Sequence, residues 1–294
     1  MPRHIRVVGL DLFCGCGGAT QGLLNAGVKV VGSFDGWEVA KAMHEHNFPD
    51  VPFELRWLGK DPADDLRRMV EILAPYRAQG AHIHVHGSPP CQAFSTASGN
   101  QSKTTLEEGL ANVNHYLWLV EELKALDLCD SWSMENVIQV RAHFPHLPHQ
   151  ILWSHEFGVP QKRKRWFAGE GWLAKPTFEG AAWDEVLNDH TLPLDAVLNT
   201  VGAGISGSNR LRASDTPRGN PSRTLTRQTA TIRTPNGDGT FTKIRNLTFK
   251  EQVMLHGFPA SFTKPAGMTQ TNAGIAIGNV VSPPVMEAVV RGLL

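Results

Sequence analysis

The chain has 294 residues, is 41% hydrophobic and 19% charged, and sets 28 Lys+Arg against 28 Asp+Glu for a formal net charge of zero. That is the composition of a globular chain long enough for one large or two ordinary domains, and it argues against disorder and against collagen-like or coiled-coil repeats. No run approaches the roughly 18 consecutive apolar residues of a membrane helix. The opening Met1-Pro2-Arg3-His4-Ile5-Arg6 predicts no secretory signal. Cys14, Cys16, Cys91 and Cys129 form neither a C-x-x-C pair nor a disulfide framework, which fits a reducing, intracellular setting. The neutral total by itself argues against a nucleic-acid partner.

In chain order, residues 6–12 form a short apolar run ending in glycines, and 19–26 suit a helix. A second strand over 28–34 stops at Asp35, and helical composition over 39–47 closes before Pro49. A helix over 64–73 precedes a strand at 83–86. Between Leu110 and Leu126 apolar residues recur at 110, 113, 117, 120 and 123, the spacing of one helical face. Another strand, around Trp132-Ser133-Met134, ends at Glu135. Strands alternating with helices predict an α/β fold, a doubly wound, mostly parallel Rossmann-like sheet. After about residue 170 the composition shifts, and 201–250 is rich in Gly, Thr, Ser, Asn and Arg. The expected division is a catalytic domain of 1–170 plus 265–294 and a smaller domain of 171–264, with the apolar tail from Ile277 returning to helix.

In open α/β sheets ligands gather at the carboxyl ends of strands. Four unusual features fall there: Gly15-Cys16-Gly17-Gly18, Asp35, the Pro89-Pro90-Cys91 turn and Glu135. Glycines after a strand let backbone approach a ligand closely, although such a cluster can equally be a tight turn. Asp35 stands where a carboxylate grips ribose hydroxyls, so the pair points to an adenosine-bearing cofactor. The spacing departs from G-x-G-x-x-G, which disfavours NAD without excluding it. Two prolines fix the direction of the Cys91 sulfur, and residues 93–108 form a polar segment suited to a lid over a nucleophile. In Gln161-Lys162-Arg163-Lys164-Arg165, Gln161, Arg163 and Arg165 share one strand face.

These residues, taken in order, resemble the cytosine-C5 DNA methyltransferase family over nearly the whole chain. The resemblance is carried by Asp11-Leu12-Phe13-x-Gly15-x-Gly17-Gly18, Pro90-Cys91-Gln92, Glu135-Asn136-Val137 and Gln161-x-Arg163-x-Arg165. It continues through Arg223-Thr224-Leu225-Thr226, Leu247-Thr248 with Gly257-Phe258-Pro259, and Gly278-Asn279-Val280-Val281. It implies that Cys91 adds to C6 of a flipped cytosine, which makes C5 nucleophilic towards the methyl of S-adenosylmethionine. It also implies that Glu135 holds N3 and the exocyclic amine, that Arg165 supports O2 and that Arg163 organises the cysteine loop.

By the same resemblance the cofactor is held by Phe13, Gly15, Cys16, Gly17, Gly18, Asp35, Pro90, Asn279 and Val280. The family's aromatic residue after the ribose-binding acid is here Gly36, with Trp37 next, and Asp61 is a loose match to its adenine-binding acid. Expected DNA contacts are Gln92, Ser95, Gln161, Arg210, Arg212, Arg223 and Thr224. The segment 171–222 would read the target, with Arg218, Ser206, Ser208 and Asn209 as further candidates. The expected partner is double-stranded DNA, met by a cytoplasmic monomer of prokaryotic or phage origin with no membrane association. A cognate restriction endonuclease acting on the same site is a further candidate partner. An RNA cytosine-5 methyltransferase on the same scaffold is the competing activity, followed by a binder without catalysis and by a nicotinamide oxidoreductase.

His82, His84 and His86 alternate on one strand face; polar packing is expected there rather than a metal. His143, His146 and His149 lie among prolines that disfavour a helical ligand face. Between residues 201 and 250 nine Lys/Arg face two acids, so the neutral total hides a local excess of positive charge suited to a phosphate backbone.

Overall fold

The first half of the chain alternates strand and helix. β1 is Val7–Leu12, α1 Gly18–Asn25, β2 Lys29–Asp35, α2 Glu38–Asn47 and β3 Phe53–Leu55. After α3 (Pro62–Arg77) come β4 (His82–Gly87), α4 (Leu106–Ala125) and β5 (Ser131–Asn136). The computed structural model describes residues 7–94, 105–177, 180–200, 215–225 and 230–293. Two further strands of the main sheet are β6 (His149–Trp153) and β8 (Lys164–Glu170), and the two-residue β7 (Gln161–Lys162) lies between them in sequence.

The main sheet has the order β3-β2-β1-β4-β5-β8-β6. The five strands from β3 to β5 are parallel, and β8 pairs antiparallel with both β5 and β6. The doubly wound expectation therefore holds, with an antiparallel margin. β1 and β4 stand at the centre of the parallel part, where the strand order reverses and where a ligand crevice opens at the carboxyl ends. Alternate β1 and β4 residues divide the core. Val8, Leu10, Ile83 and Val85 pack towards α3 and α4, whereas Val7 joins Leu23 of α1 and the C-terminal Ile277 and Met286 on the other side.

The helix expected from its apolar spacing is α4, which buries Val113, Tyr116, Leu119, Val120 and Leu123. It starts at a capping box in which Thr105 and Glu108 satisfy each other's backbone N–H. α3 extends beyond the expected span at both ends; at its start Asp61 caps it and Pro62 suits the first helical turn. The tail does not form one helix from Ile277. α7 (Gln270–Gly278) ends at Asn279, and α8 (Pro283–Arg291) starts afresh because the paired prolines supply no N–H to continue a helix. An 18-residue window within residues 270–291 has a mean hydropathy of 1.4, but 72% of that window is buried inside the protein.

A second, four-stranded sheet has the order β10-β9-β12-β13, made of Asp215–Pro217, Val197–Asn199, Thr231–Pro235 and Phe241–Asn246 respectively. It has its own apolar cluster around Trp183 of α5 (Trp183–Leu187), with Leu198, Ile232 and Leu247. α6 (Phe249–Leu255) joins the two cores: Leu255 belongs to the small cluster, while Phe249 and Val253 pack into the large one. The two-residue β11 (Ser222–Arg223) pairs in parallel with β7 and ties the units together.

Candidate active site

The turn that carries Cys91 leaves β4 at Gly87. Ser88 N–H donates to the Leu12 carbonyl at 3.0 Å, and Asn136 Nδ2 donates to the Pro89 carbonyl at 3.0 Å. The fully buried Asn136 also accepts from Val137 N–H, so its amide is fixed at both ends. Sequence alone marks Asn136 only as part of the Glu135-Asn136-Val137 motif, without a role of its own. A polar residue following a strand's last carboxylate was the available signal.

Cys91 is half-buried at the end of this turn. Burial pushes its thiol above the ordinary value, and the Glu135 carboxylate adds to that, while Arg165 and Arg163 pull the other way. Glu135 is the penultimate residue of β5 beside it and forms an ion pair with Arg165, Nε to Oε1, at 2.9 Å. Burial raises the Glu135 pKa, and the two arginines offset part of the rise. Arg163 is 3% exposed and its pKa falls to about 9, chiefly through burial. Its guanidinium donates to the Gly278 carbonyl at 3.2 Å and the Val280 carbonyl at 2.9 Å, so it clamps the end of α7 to the strand that carries Arg165.

Gln161 shares the face predicted for it, but that face points inward. Its amide donates to the Leu255 carbonyl and accepts from Leu225 N–H, and the side chain is fully buried. These bonds tie β7 to the small unit and leave its polar atoms engaged inside the protein. Thr224 lies on that seam, its hydroxyl donating to the Lys162 carbonyl at 3.1 Å. Arg223 is exposed and, with Lys162, lines a cavity of about 730 Å³ between the units. Gln92 is half-buried beside Cys91. Ser95, Arg210 and Arg212 lie outside the described residues, as does most of the expected lid.

The cofactor side of the crevice is asymmetric. A β-carbon on Gly15, at φ +54°, would meet nothing within 4 Å, whereas one on Gly18 would lie 2.2 Å from the Val281 carbonyl. Gly15 therefore leaves open space, and Gly18 is required for α1 to pack against Val280–Val281. Asp35 accepts from Gly15 N–H through one carboxylate oxygen and from Trp37 N–H through the other, both at 2.9 Å. Each oxygen keeps a second lone pair for a ligand hydroxyl. Phe13, at φ +55°, is half-buried next to the glycines, Pro90 precedes the cysteine, and the exposed Asn279 caps α7 beside the buried Val280. Cys16 is fully buried in the large core, so only its backbone remains available to a ligand.

Two side chains differ in placement from expectation. Asp61 accepts from Asp64 N–H as the cap of α3, which accounts for its carboxylate locally. Trp37 packs against the large core, and the exposed aromatic beside Asp35 is Trp57. A β-carbon on Gly36 would lie 2.5 Å from the Trp57 indole, which is 62% exposed. An indole thus lies where a side chain at position 36 would have stood. Sequence reasoning missed it because Trp57 comes from the loop after the short strand β3, 21 residues further along.

Each ring nitrogen of His84 and His86 lies within hydrogen-bond reach of a serine hydroxyl, which is polar packing. No group of three or more metal-capable side chains occurs among the described residues.

A family model for C-5 cytosine-specific DNA methylase matches residues 7–169 and 188–294. The chain belongs to that family. Among curated relatives, the Type II methyltransferase M.HgiDI of Herpetosiphon aurantiacus is 30% identical over 172 residues, covering 54% of this chain and 50% of the relative. The chain thus spans about half the length of that relative. M.BsuFI of Bacillus subtilis, another Type II methyltransferase, is 24% identical over 313 residues, covering 98% of this chain and 72% of the relative. The Spodoptera frugiperda DNMT2 structure superposes with a TM-score of 0.64 at 18% identity, covering 98% of this chain and 99% of that one. The Entamoeba histolytica methyltransferase EhMeth gives 0.62 at 14% identity, covering 98% of both chains. Both share the family's α/β fold.

Proposed function

We propose that this chain is a DNA (cytosine-5)-methyltransferase that uses S-adenosylmethionine. The observation that carries the reading is the Glu135–Arg165 ion pair, with the Cys91 thiol under its electrostatic influence at the end of the neighbouring strand. A cysteine alone would be a buried thiol. Beside a carboxyl group of raised pKa and a fixed guanidinium, it has the partners needed to add to a pyrimidine ring. Glu135 in its protonated form donates to cytosine N3 and accepts from the exocyclic amine through its other oxygen. Arg165 stabilises the charge at O2, and Cys91 bonds to C6, so that C5 becomes nucleophilic. Loss of the C5 proton and of the thiolate restores aromaticity. The target base must leave the duplex to reach this pair.

The crevice fits the cofactor: open space at Gly15, free lone pairs on Asp35 and an exposed indole at Trp57 match an adenosine. Phe13, the Gly15–Gly18 backbone, Asp35, Trp57, Pro90 and Val280 would hold S-adenosylmethionine, which supplies the electrophilic methyl group when bound. Gln161 is assigned to the seam between the units, and Gln92, Arg223 and Thr224 to the DNA side. The division into a catalytic unit and a target-reading unit is part of the same proposal, as is a cytoplasmic setting.

The test is transfer of labelled methyl to duplex DNA, beside tRNA, by the wild type and Cys91→Ala. Transfer to duplex that falls at least 10³-fold in the variant is expected. Transfer to tRNA alone would replace DNA with RNA as substrate. Duplex containing 5-fluorocytosine, which has no C5 proton to lose, should trap a covalent complex that Cys91→Ala does not form. Equal trapping in both would refute the adduct.

A further inference from the structure

β4 runs into the Cys91 turn and β5 carries Glu135 as its penultimate residue, so the way these two strands are held sets the thiol–carboxylate spacing. Their buried common face is unusual for central parallel strands, which are commonly lined by Val, Ile and Leu. Ser131 Oγ lies 2.8 Å from both His82 Nε2 and His84 Nδ1. Ser133 Oγ lies 2.9 Å from His84 Nε2 and 2.8 Å from His86 Nδ1. Ser88 Oγ, at the start of the catalytic turn, lies 3.1 Å from His86 Nε2. The result is one unbroken row: His82, Ser131, His84, Ser133, His86, Ser88.

Counting hydrogens shows how such a row behaves. A serine hydroxyl has one hydrogen, and a neutral imidazole has one. Burial holds His84 and His86 neutral, with the His86 pKa pushed down to about 3. A bridging serine that spends its hydrogen within the row donates to one ring and accepts from the other, and the bonds then all point the same way. Removing one hydroxyl leaves two ring nitrogens unsatisfied in the core, a costly arrangement. Burial already forbids a one-residue slip of β4 on β5, which would turn every side chain over. A two-residue slip would keep an apolar pattern intact, but here it takes a histidine off its serine. On the opposite sheet face Tyr116 of α4 donates its hydroxyl to the Val85 and Ser133 carbonyls and closes the same pair of strands.

We propose that this histidine–serine row fixes the register and separation of β4 and β5 and so positions Cys91 against Glu135. Ser131, Ser133, His84 and His86 are then positioning residues. The inference rests on the reading of Cys91 and Glu135 as the reacting pair. A misplacement of about 1 Å at such a pair costs on the order of 10²-fold in rate.

The test uses Ser133→Ala, Ser133→Thr and Ser131→Ala in the full chain. Methylation kinetics are read beside the pH profile of Cys91 alkylation by iodoacetamide, followed at the Cys91 peptide. The charged groups acting on the thiol are Glu135 from β5, Arg165 from β8 and Arg163 just before it. Ser133→Ala should lower kcat at least tenfold with both KM values within twofold. It should also move the alkylation midpoint, because the thiol's distances to the Glu135 carboxylate and to the Arg165 and Arg163 guanidiniums set its proton affinity. Ser133→Thr, which keeps the hydroxyl, should restore both. Ser131→Ala, one bridge further away, should act in the same direction by about threefold, and it carries the measurement if Ser133→Ala does not fold. A folded variant with wild-type kcat and an unmoved midpoint would overturn the proposal. A wild type that methylates no duplex DNA but whose midpoint still moves on substitution would overturn the functional reading and leave the row's role standing.

Discussion

In the crevice of the large sheet, charged groups are buried and held inside the protein: Arg163 by carbonyls of the α7 end, Glu135 by Arg165, and Asp35 by two backbone N–H groups. In the small unit, arginines also pair with carboxylates, Arg218 and Arg245 in part-exposed pairs and Arg233 in a buried one. Arg218 meets Asp184 at 3.0 Å, and Arg245 meets Asp189 at 2.8 Å and Glu251 at 2.7 Å. Arg233 meets Asp215 at 3.5 Å and lies over the Phe241 ring. In the first arrangement burial raises the pKa of Glu135, whereas in the second hydrogen bonds, those from Arg245 among them, lower the pKa values of Asp189 and Glu251 and hold loops and strands together. It also revises the charge argument. Of the nine basic residues between 201 and 250, Arg218, Arg233 and Arg245 are paired within the protein, several of them with acids outside that stretch. The local excess is real in sequence but smaller at the surface, where Arg223, Lys243 and Lys250 are exposed.

Acid should strike the large unit hardest. His44, His84, His86 and His256 are buried with lowered pKa values, about 4 for His44 and about 3 for His86 and His256. Unfolding frees them to bind protons from about pH 6.5 downward, so their contribution is lost as the pH falls. Asp11, raised to about 7 by burial, opposes this, because the folded state takes up its proton first. With four histidines set against the raised carboxyls of Asp11, Asp35 and Glu135, the urea midpoint should fall between pH 7 and 5.5. A midpoint that stays level would mean that these histidines are already charged in the fold.

Glu135→Gln should separate two properties of one site. Methylation should fall about 10² to 10³-fold, while Cys91 alkylation at neutral pH becomes faster, because a charge that raises the thiol pKa has gone. Slower alkylation would reverse the assigned electrostatics. Trp57→Ala should weaken S-adenosylhomocysteine binding about tenfold by calorimetry, in line with loss of one aromatic platform. Trp57→Phe should retain most of the affinity, and an unchanged Kd for the alanine variant would remove Trp57 from the site.

The smallest effects sharpen the contrast within the small unit. Arg223→Ala should weaken duplex binding a few-fold at all sequences and reduce the salt slope by about one. Arg218→Ala should leave that slope unchanged and cost about 1 kcal/mol of stability, since its partner is Asp184. A reduced slope for Arg218→Ala would place it on the DNA after all.

Much of this was legible in one dimension because strand-end chemistry is local. Gly15, Asp35, Cys91 and Glu135 each stand at or just past the end of a short strand, and the parallel order alone brings strand ends together. The unread parts are contacts between segments distant in sequence. The pattern placed Gln161 and Arg163 on one face, and only the packing of α6 and α7 made that face internal. The gap at Gly36 looked like a missing aromatic until the loop after β3 folded Trp57 onto it. The three alternating histidines could be seen at once, but their meaning needed β5 to bring Ser131 and Ser133 alongside. The sequence by itself determined which residue types stand at which strand ends, because backbone pattern and turn chemistry are short-range. Only the tertiary structure decided which polar groups face inward and which cations remain free, since every hydrogen bond and ion pair needs a second partner that the chain supplies from elsewhere.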